Sequence, residues 1–311
     1  MDIGKRLKKP IDAVDLFAGA GGLSEGAEQA DVRVAWAGNH WQTAVDAHRA
    51  NHPDVVHVCQ DLRQADWSKL PRYQLLLASP ACQGHSQAAQ PGQRAYHDAL
   101  RATAWSVVDC ADVTEPETLI VENVPQFKRW RLFPQWRSSL EALGYNLTEL
   151  EVRASQHGVP QRRDRLFIVG TRLHRRRVEL ATDAVEPAFA PCVEWNAGRF
   201  RPISGAQPMA RARMLAAKRT HGRRFLSQHV TGHPGVPLHE PVRTITTKDQ
   251  WVVVDGDTYR PFTLREYARG MGFDDSYHWP DTISRVDTIK GIGNAVCPPA
   301  AKRVIQAALA A

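Results

Sequence analysis

The feature that most limits the fold of this chain is a set of short, continuous apolar runs that each stop abruptly in small or polar residues. The clearest is Leu75-Leu76-Leu77-Ala78, which breaks into Ser79-Pro80-Ala81-Cys82-Gln83-Gly84-His85-Ser86. A strand without polar alternation has to be covered on both faces, as a parallel strand between two helical layers is. Such sheets hold ligands in the crevice beyond the carboxyl ends of their strands. Two further runs behave alike. Leu119-Ile120-Val121 leads into Glu122-Asn123-Val124, and Gln161-Arg162-Arg163-Asp164-Arg165 leads into Leu166-Phe167-Ile168-Val169. A thiol, a carboxylate and an arginine cluster are each expected at a strand mouth, and together they form a reaction centre. No set of Cys and His spaced for a tetrahedral site surrounds Cys82, so a metal centre is not expected.

From residue 11 to about 172 the alternation predicts strands at Ile11 to Leu16, Val32 to Ala37, Val55 to Val58, Tyr73 to Ala78, Thr118 to Val121 and Leu166 to Gly170. Helical spacing falls between them at Trp41 to Ala50, Ala99 to Val108 and Trp136 to Leu143. Strand and helix in turn predict an α/β fold with a doubly wound, mostly parallel sheet. The rhythm then fails: up to about residue 258 the chain is rich in Pro, Gly, His and Arg, with β-like pieces at Val242 to Thr246 and Trp251 to Val254. Two units are therefore expected, a larger one of residues 1–172 closed by 286–311, and a smaller one of 173–285. Pro298-Pro299 starts a last helix, Ala300 to Ala310.

Its 311 residues can bury one substantial core and carry a second domain. Hydrophobic residues at 43% and charged residues at 23% are ordinary for a soluble protein, and no apolar stretch is long enough to span a membrane. The basic start at Lys5, Arg6, Lys8 and Lys9 is followed by Asp12, Asp15 and glycines rather than by the apolar core of a signal peptide. Five cysteines, odd in number and unpaired in spacing, predict a reduced cytosolic protein. The net charge of +7 is uneven: residues 160–225 carry 15 Lys or Arg against 5 Asp or Glu. Such a block suits either a polyanion on one face or a solvated surface.

Asp15-Leu16-Phe17-Ala18-Gly19-Ala20-Gly21-Gly22-Leu23 follows the first strand and enters a helix. Glycines let the backbone approach a ligand there, and the helix start favours negative charge. The segment lacks the GxGxxG pattern and the Lys-Ser/Thr of a phosphate loop, so a nucleoside-type ligand without a phosphate chain fits better. Asp61 is placed to accept from an adenine amino group, with Leu62 beneath the ring; taken singly, Asp61 reads more readily as a loop cap.

The ordered set Asp15 to Gly22, Cys82-Gln83, Glu122-Asn123-Val124, Gln161 to Arg165, Arg260-Pro261-Phe262-Thr263 with Arg265-Glu266, and Gly293-Asn294-Ala295-Val296 resembles the DNA cytosine-5 methyltransferase family of bacteria and phages. The resemblance covers residues 11 to about 172 and 258–307. It implies a catalytic, cofactor-binding larger unit and a target-recognition smaller unit with its hinge. It implies S-adenosylmethionine as cofactor, S-adenosylhomocysteine as product, and double-stranded DNA as substrate, whose target cytosine is flipped out of the stack. In that reading Cys82 is the nucleophile that adds at C6. Glu122 holds a proton against N3, Arg165 stabilises charge at O2, and Arg163 positions Cys82 and a phosphate. Phe17, Gly19, Gly21, Gly22, His40, Trp41, Asp61, Leu62 and Asn294 line the cofactor. Gln83, Ser86, Asn123 and Gln161 serve the DNA or the target base.

Several positions depart from the family pattern. Ala81 stands where a Pro usually precedes the catalytic Cys, removing a restraint on φ. His85 replaces a usual Phe, and Cys297, in a Pro-rich stretch, reads as structural. His40 occupies the place of a ribose-binding Glu; it motivates a weaker cofactor site or an anionic S-adenosylmethionine derivative as donor. The same motifs would also serve a tRNA substrate, or persist in a non-catalytic homologue that only binds DNA. The expected enzyme acts as a monomer without a protein partner, in the bacterial cytosol or a phage-infected host.

Overall fold

The computed structural model describes residues 11–81, 101–172 and 177–311. Cys82, Gln83, His85 and Ser86 lie outside the described residues. The larger unit is a seven-stranded sheet, whose strands follow the apolar runs except at Asn146–Arg153. They are β1 (Ile11–Leu16), β2 (Val32–Asn39), β3 (Val56–Cys59), β4 (Leu75–Ala78), β5 (Thr118–Asn123) and β6 (Asn146–Arg153); after a short β7 (Gln161–Arg162) comes β8 (Asp164–Thr171). The sheet order is β3-β2-β1-β4-β5-β8-β6. The first five strands are parallel, and β8 runs antiparallel between β5 and β6. Helices α1 (Gly22–Glu28), α2 (Gln42–Asn51), α3 (Trp105–Thr114) and α4 (Phe133–Ala142) fill the connections.

Period-two alternation divides the sheet's side chains between two cores. Ala13, Leu75, Leu77, Ile120, Phe167 and Val169 enter one cluster, and Val14, Leu16, Leu76, Leu119, Val121, Leu166 and Ile168 the other. The second is closed by Val107, Cys110 and Ala111 of α3 and by Phe133, Trp136 and Leu140 of α4. Of the expected helix at Ala99 to Val108, the first two residues lie outside the described ones; Arg101 and Ala102 are helical, a turn follows at Thr103 and Ala104, and α3 begins at Trp105, with Trp136 Nε1 donating to the Ala104 carbonyl at 2.8 Å.

The smaller sheet is antiparallel, in the order β11-β10-β13-β14-β9. It comprises β9 (Arg201–Pro202), β10 (Arg224–Gln228), β11 (Val236–Pro237), β13 (Trp251–Asp255) and β14 (Thr258–Pro261), while β12 (Val242–Arg243) leaves it and pairs with β7 of the larger unit. One face carries α5 (Pro208–His221) over Phe225, Val252 and Val254. Leu226, Trp251, Val253 and Phe262 on the other face join the first core of the large sheet. That core also takes in α6 (Leu264–Met271), α7 (Arg285–Asn294) and α8 (Pro298–Ala310). The segment around Tyr277 returns to the large unit, with Tyr277 Oη donating to the Ala20 carbonyl at 2.5 Å and Asn51 Oδ1 accepting from the His278 N–H at 2.6 Å.

Candidate active site

Glu122 is the penultimate residue of β5, and Arg165 the second of β8, so antiparallel pairing brings the two to one end of the sheet. Arg165 Nε lies 2.9 Å from Glu122 Oε1, with the carboxylate side chain 9% and the guanidinium 16% exposed. Burial pushes the Glu122 carboxyl above its ordinary range, against the opposing pull of Arg165 and Arg163. A carboxyl group so placed keeps its proton to higher pH than an exposed one, while a neighbouring cation can stabilise developing negative charge.

The same end of β4 is tied down residue by residue. The Ser79 N–H donates to the Leu16 carbonyl at 3.0 Å. Asn123 Nδ2 donates to the Pro80 carbonyl at 3.0 Å, and the Ala81 N–H donates to Thr103 Oγ1 at 3.2 Å. The last bond exists because residue 81 is not proline, which has no N–H to give. A hydrogen bond to Thr103 thus restrains the residue before Cys82 where a ring would otherwise do so. Nothing in the sequence around Thr103 marked it for this role. Asn123 Oδ1 also accepts from the Val124 N–H at 2.9 Å. Both ends of the Asn123 amide are thus used inside the protein, tying the residue after Glu122 to the Pro80 carbonyl.

Gln161 and Arg163 also bond within the protein. Gln161 is fully buried; Nε2 donates to the Gly270 carbonyl at 2.9 Å, and Oε1 accepts from the Ile245 N–H at 2.7 Å. Arg163, 2% exposed, donates to the carbonyls of Ile245, Gly293 and Ala295 at 3.0, 2.9 and 3.1 Å. It ties the segment at Ile245 to the one at Gly293 and Ala295 and lends positive potential to Glu122. Cys297 is buried beside these charges, and burial pushes its thiol up, as suits a structural cysteine.

At the cofactor end, the turn between β1 and α1 places Phe17 at φ 60°, Gly19 at 58° and Gly21 at 92°. An added Cβ at Gly19 meets nothing nearer than the Phe17 carbonyl oxygen at 3.9 Å, so the turn is open there. At Gly21 and Gly22 the space is taken, by Tyr277 Oη and by the Val296 carbonyl oxygen. Their missing side chains serve packing, and only Gly19 offers the open backbone expected of all three. Beneath the turn, buried Asp15 accepts from Ser24 Oγ at 2.7 Å, and Ser24 connects to His48 Nε2 at 2.9 Å and onward to His57 at 2.8 Å. Burial raises the Asp15 pKa from 3.8 to about 7.

The neighbouring strand ends complete this side. His40 is exposed after β2 and exerts a favourable pull on Asp61, whose carboxylate is bound by Arg63 at 2.6 Å. Leu62 is buried beside it. Trp41 caps α2, and the Lys290 ammonium sits over its ring 4.2 Å from the centroid. One face of this indole is therefore already in a cation–π contact; Lys290 had no signal in the sequence. Asn294 ends α7 with its side chain exposed. The open turn at Gly19, the half-buried Phe17, an apolar floor at Leu62 and an acceptor at Asp61 fit a nucleoside carrying no phosphate.

The sequence profile of the C-5 cytosine-specific DNA methylases matches residues 11–191 and 195–310. The chain is 27% identical over 307 residues to the type II methyltransferase M.NlaX of Neisseria lactamica, with 94% of each chain covered. It is 33% identical over 169 residues to M.HgiDI of Herpetosiphon aurantiacus, covering 52% of each. Among solved structures, a putative DNA modification methyltransferase encoded in an Escherichia coli prophage superposes with a TM-score of 0.71 at 18% identity, covering 96% of this chain and 98% of that one. Spodoptera frugiperda DNMT2 gives 0.71 at 16% identity, covering 96% and 99%. With an α/β methyltransferase fold, an acid–arginine pair at the strand ends and a profile match along nearly its whole length, the chain belongs to the C-5 cytosine-specific DNA methylases and is a DNA cytosine-5 methyltransferase.

Proposed function

We propose that the enzyme methylates C5 of a cytosine flipped out of double-stranded DNA, with S-adenosylmethionine as donor and Cys82 as a covalent nucleophile. The observation that carries this reading is the buried pair of Glu122 and Arg165, 2.9 Å apart. The adjoining Asn123 fixes the Pro80 carbonyl, two residues before Cys82. S-adenosylmethionine, when bound, supplies an electrophilic methyl group; Phe17, Gly19, Asp61 and Leu62 are the residues that would hold it.

Cytosine C5 is a weak nucleophile until a thiolate adds at C6. Cys82 forms that bond, and the electron pair displaced from the C5–C6 double bond flows toward N3 and O2. Glu122 gives the proton that N3 then needs, and its raised pKa keeps that proton available. Arg165 faces the charge on O2. After C5 has been alkylated, a base removes its proton, the double bond re-forms and the Cys82 thiolate leaves. Residues 173–285 serve as the target-recognition unit, and one asymmetric target base calls for one monomer, acting in the bacterial cytosol or a phage-infected host.

The test is nucleoside mass spectrometry of unmodified DNA after incubation with S-adenosylmethionine. Wild type is expected to form 5-methylcytosine, Cys82→Ala none, and Glu122→Gln a rate reduced about 10²- to 10⁴-fold. A folded, DNA-binding wild type that leaves cytosine unmodified would overturn the reading.

A further inference from the structure

A parallel ladder joins the two units where the reaction centre begins. β12 of the recognition unit pairs with β7, Val242 against Gln161 and Arg243 against Arg162. Three side-chain bonds reinforce the ladder. Gln161 Oε1 accepts from the Ile245 N–H at 2.7 Å, Thr244 Oγ1 donates to the Arg162 carbonyl at 3.1 Å, and Arg163 Nη1 donates to the Ile245 carbonyl at 3.0 Å. Gln161 also reaches the Gly270 carbonyl at 2.9 Å, so one buried amide grips both β12's continuation and the end of α6. Beyond the grip, Arg243, Thr246, Thr247 and Lys248 are exposed.

We propose that Gln161 is a positioning residue for target specificity, locking the segment from Val242 to Ile245 at a fixed distance from Arg165 so that flanking bases are read in register with the reacting cytosine. The inference rests on the function proposed above. Gln161 and Arg165 are four residues apart, so even a fully extended chain separates their Cα atoms by no more than about 14 Å. With bases of one strand about 3.4 Å apart, side chains borne on the locked segment reach base pairs within roughly four of the target. Loosening the lock therefore degrades reading of the immediate flanks, while the cofactor turn and the acid–arginine pair stay as they are.

The test compares wild type, Gln161→Leu, Gln161→Glu and Thr244→Val by sequencing the methylated contexts in plasmid DNA, with thermal midpoints and S-adenosylmethionine affinity measured alongside. Gln161→Leu is expected to raise methylation at near-cognate relative to cognate contexts by about tenfold, within the discrimination that one base contact supplies. Cofactor affinity should not change. Thr244→Val, which loses one strut, should shift the same ratio less, and it covers the case in which Gln161→Leu does not fold. A protonated glutamic acid keeps the acceptor for Ile245 and one of the amide's two donors, the one to the Gly270 carbonyl, so Gln161→Glu should move toward wild-type fidelity as pH falls and away from it as pH rises. A purely structural Gln161 predicts no such pH dependence. Unchanged context ratios in the folded variants would overturn the proposal, whatever their thermal midpoints. Wild type that fails to methylate DNA would instead strike the proposed function, so the two failures are separable.

Discussion

Asp15 shows what a single buried carboxylate does to a site. Its pKa, raised by burial from 3.8 to about 7, means that the folded protein keeps a proton that the unfolded chain has released. The unfolded state then binds fewer protons between those two values, so stability falls as pH rises from about 4 to about 7 and levels off above. The full span corresponds to roughly 4 kcal/mol. Asp15→Asn removes the titration, so the variant is expected to gain on wild type across that window and to stay ahead at pH 8, checked by thermal midpoints against pH. Residues such as Glu122 and Arg165 were legible in the sequence because each stands at the end of an apolar run, where position alone implies a cleft. The internal contacts of Gln161 and Arg163 were not legible because their partners lie far along the chain; Arg163 reaches carbonyls 82, 130 and 132 residues away. Local pattern carries no trace of such bonds.

At the level of elements, the apolar runs at β1, β4 and β5 could be read directly because both faces are buried. β6 could not. Its sequence, Asn146-Leu147-Thr148-Glu149-Leu150-Glu151-Val152-Arg153, mixes charge with apolar residues because it is an edge strand, paired only with β8. The insertion of antiparallel β8 between β5 and β6 was equally invisible, yet it is what delivers Arg165 to Glu122. The seat of α1 depends on a small residue. At Gly22 an added methyl would meet the Val296 carbonyl oxygen, and α1 packs its length against α8. Gly22→Ala is expected to cost about 1–3 kcal/mol, read from the urea midpoint, and to weaken cofactor affinity by disturbing the turn.

Across the whole molecule, the basic block of residues 160–225 resolves into distinct groups. Arg162 is bound by Glu186 and Glu240, Arg223 and Arg224 by Asp255, and Lys218 by Asp257. Arg211 and Arg219 are exposed on α5, which lies on the face of the small sheet away from the shared core. Arg243, within the locked segment, and Lys248, three residues after its end, lie outside the block in sequence and are exposed. Phosphate contacts are therefore expected from Arg243 and Lys248. Replacing either by Ala should lower the slope of log affinity against log salt by about one, measured by fluorescence anisotropy with duplex DNA, while Arg211→Ala leaves the slope in place. The core common to both units has a consequence for how such enzymes can diversify. Leu226, Trp251, Val253 and Phe262 complete a hydrophobic cluster begun by the large sheet. A smaller unit transplanted from a relative would arrive with only half an interior, so if it reads the target as proposed, new target sequences are reached more readily by changing exposed side chains around β12 than by exchanging modules.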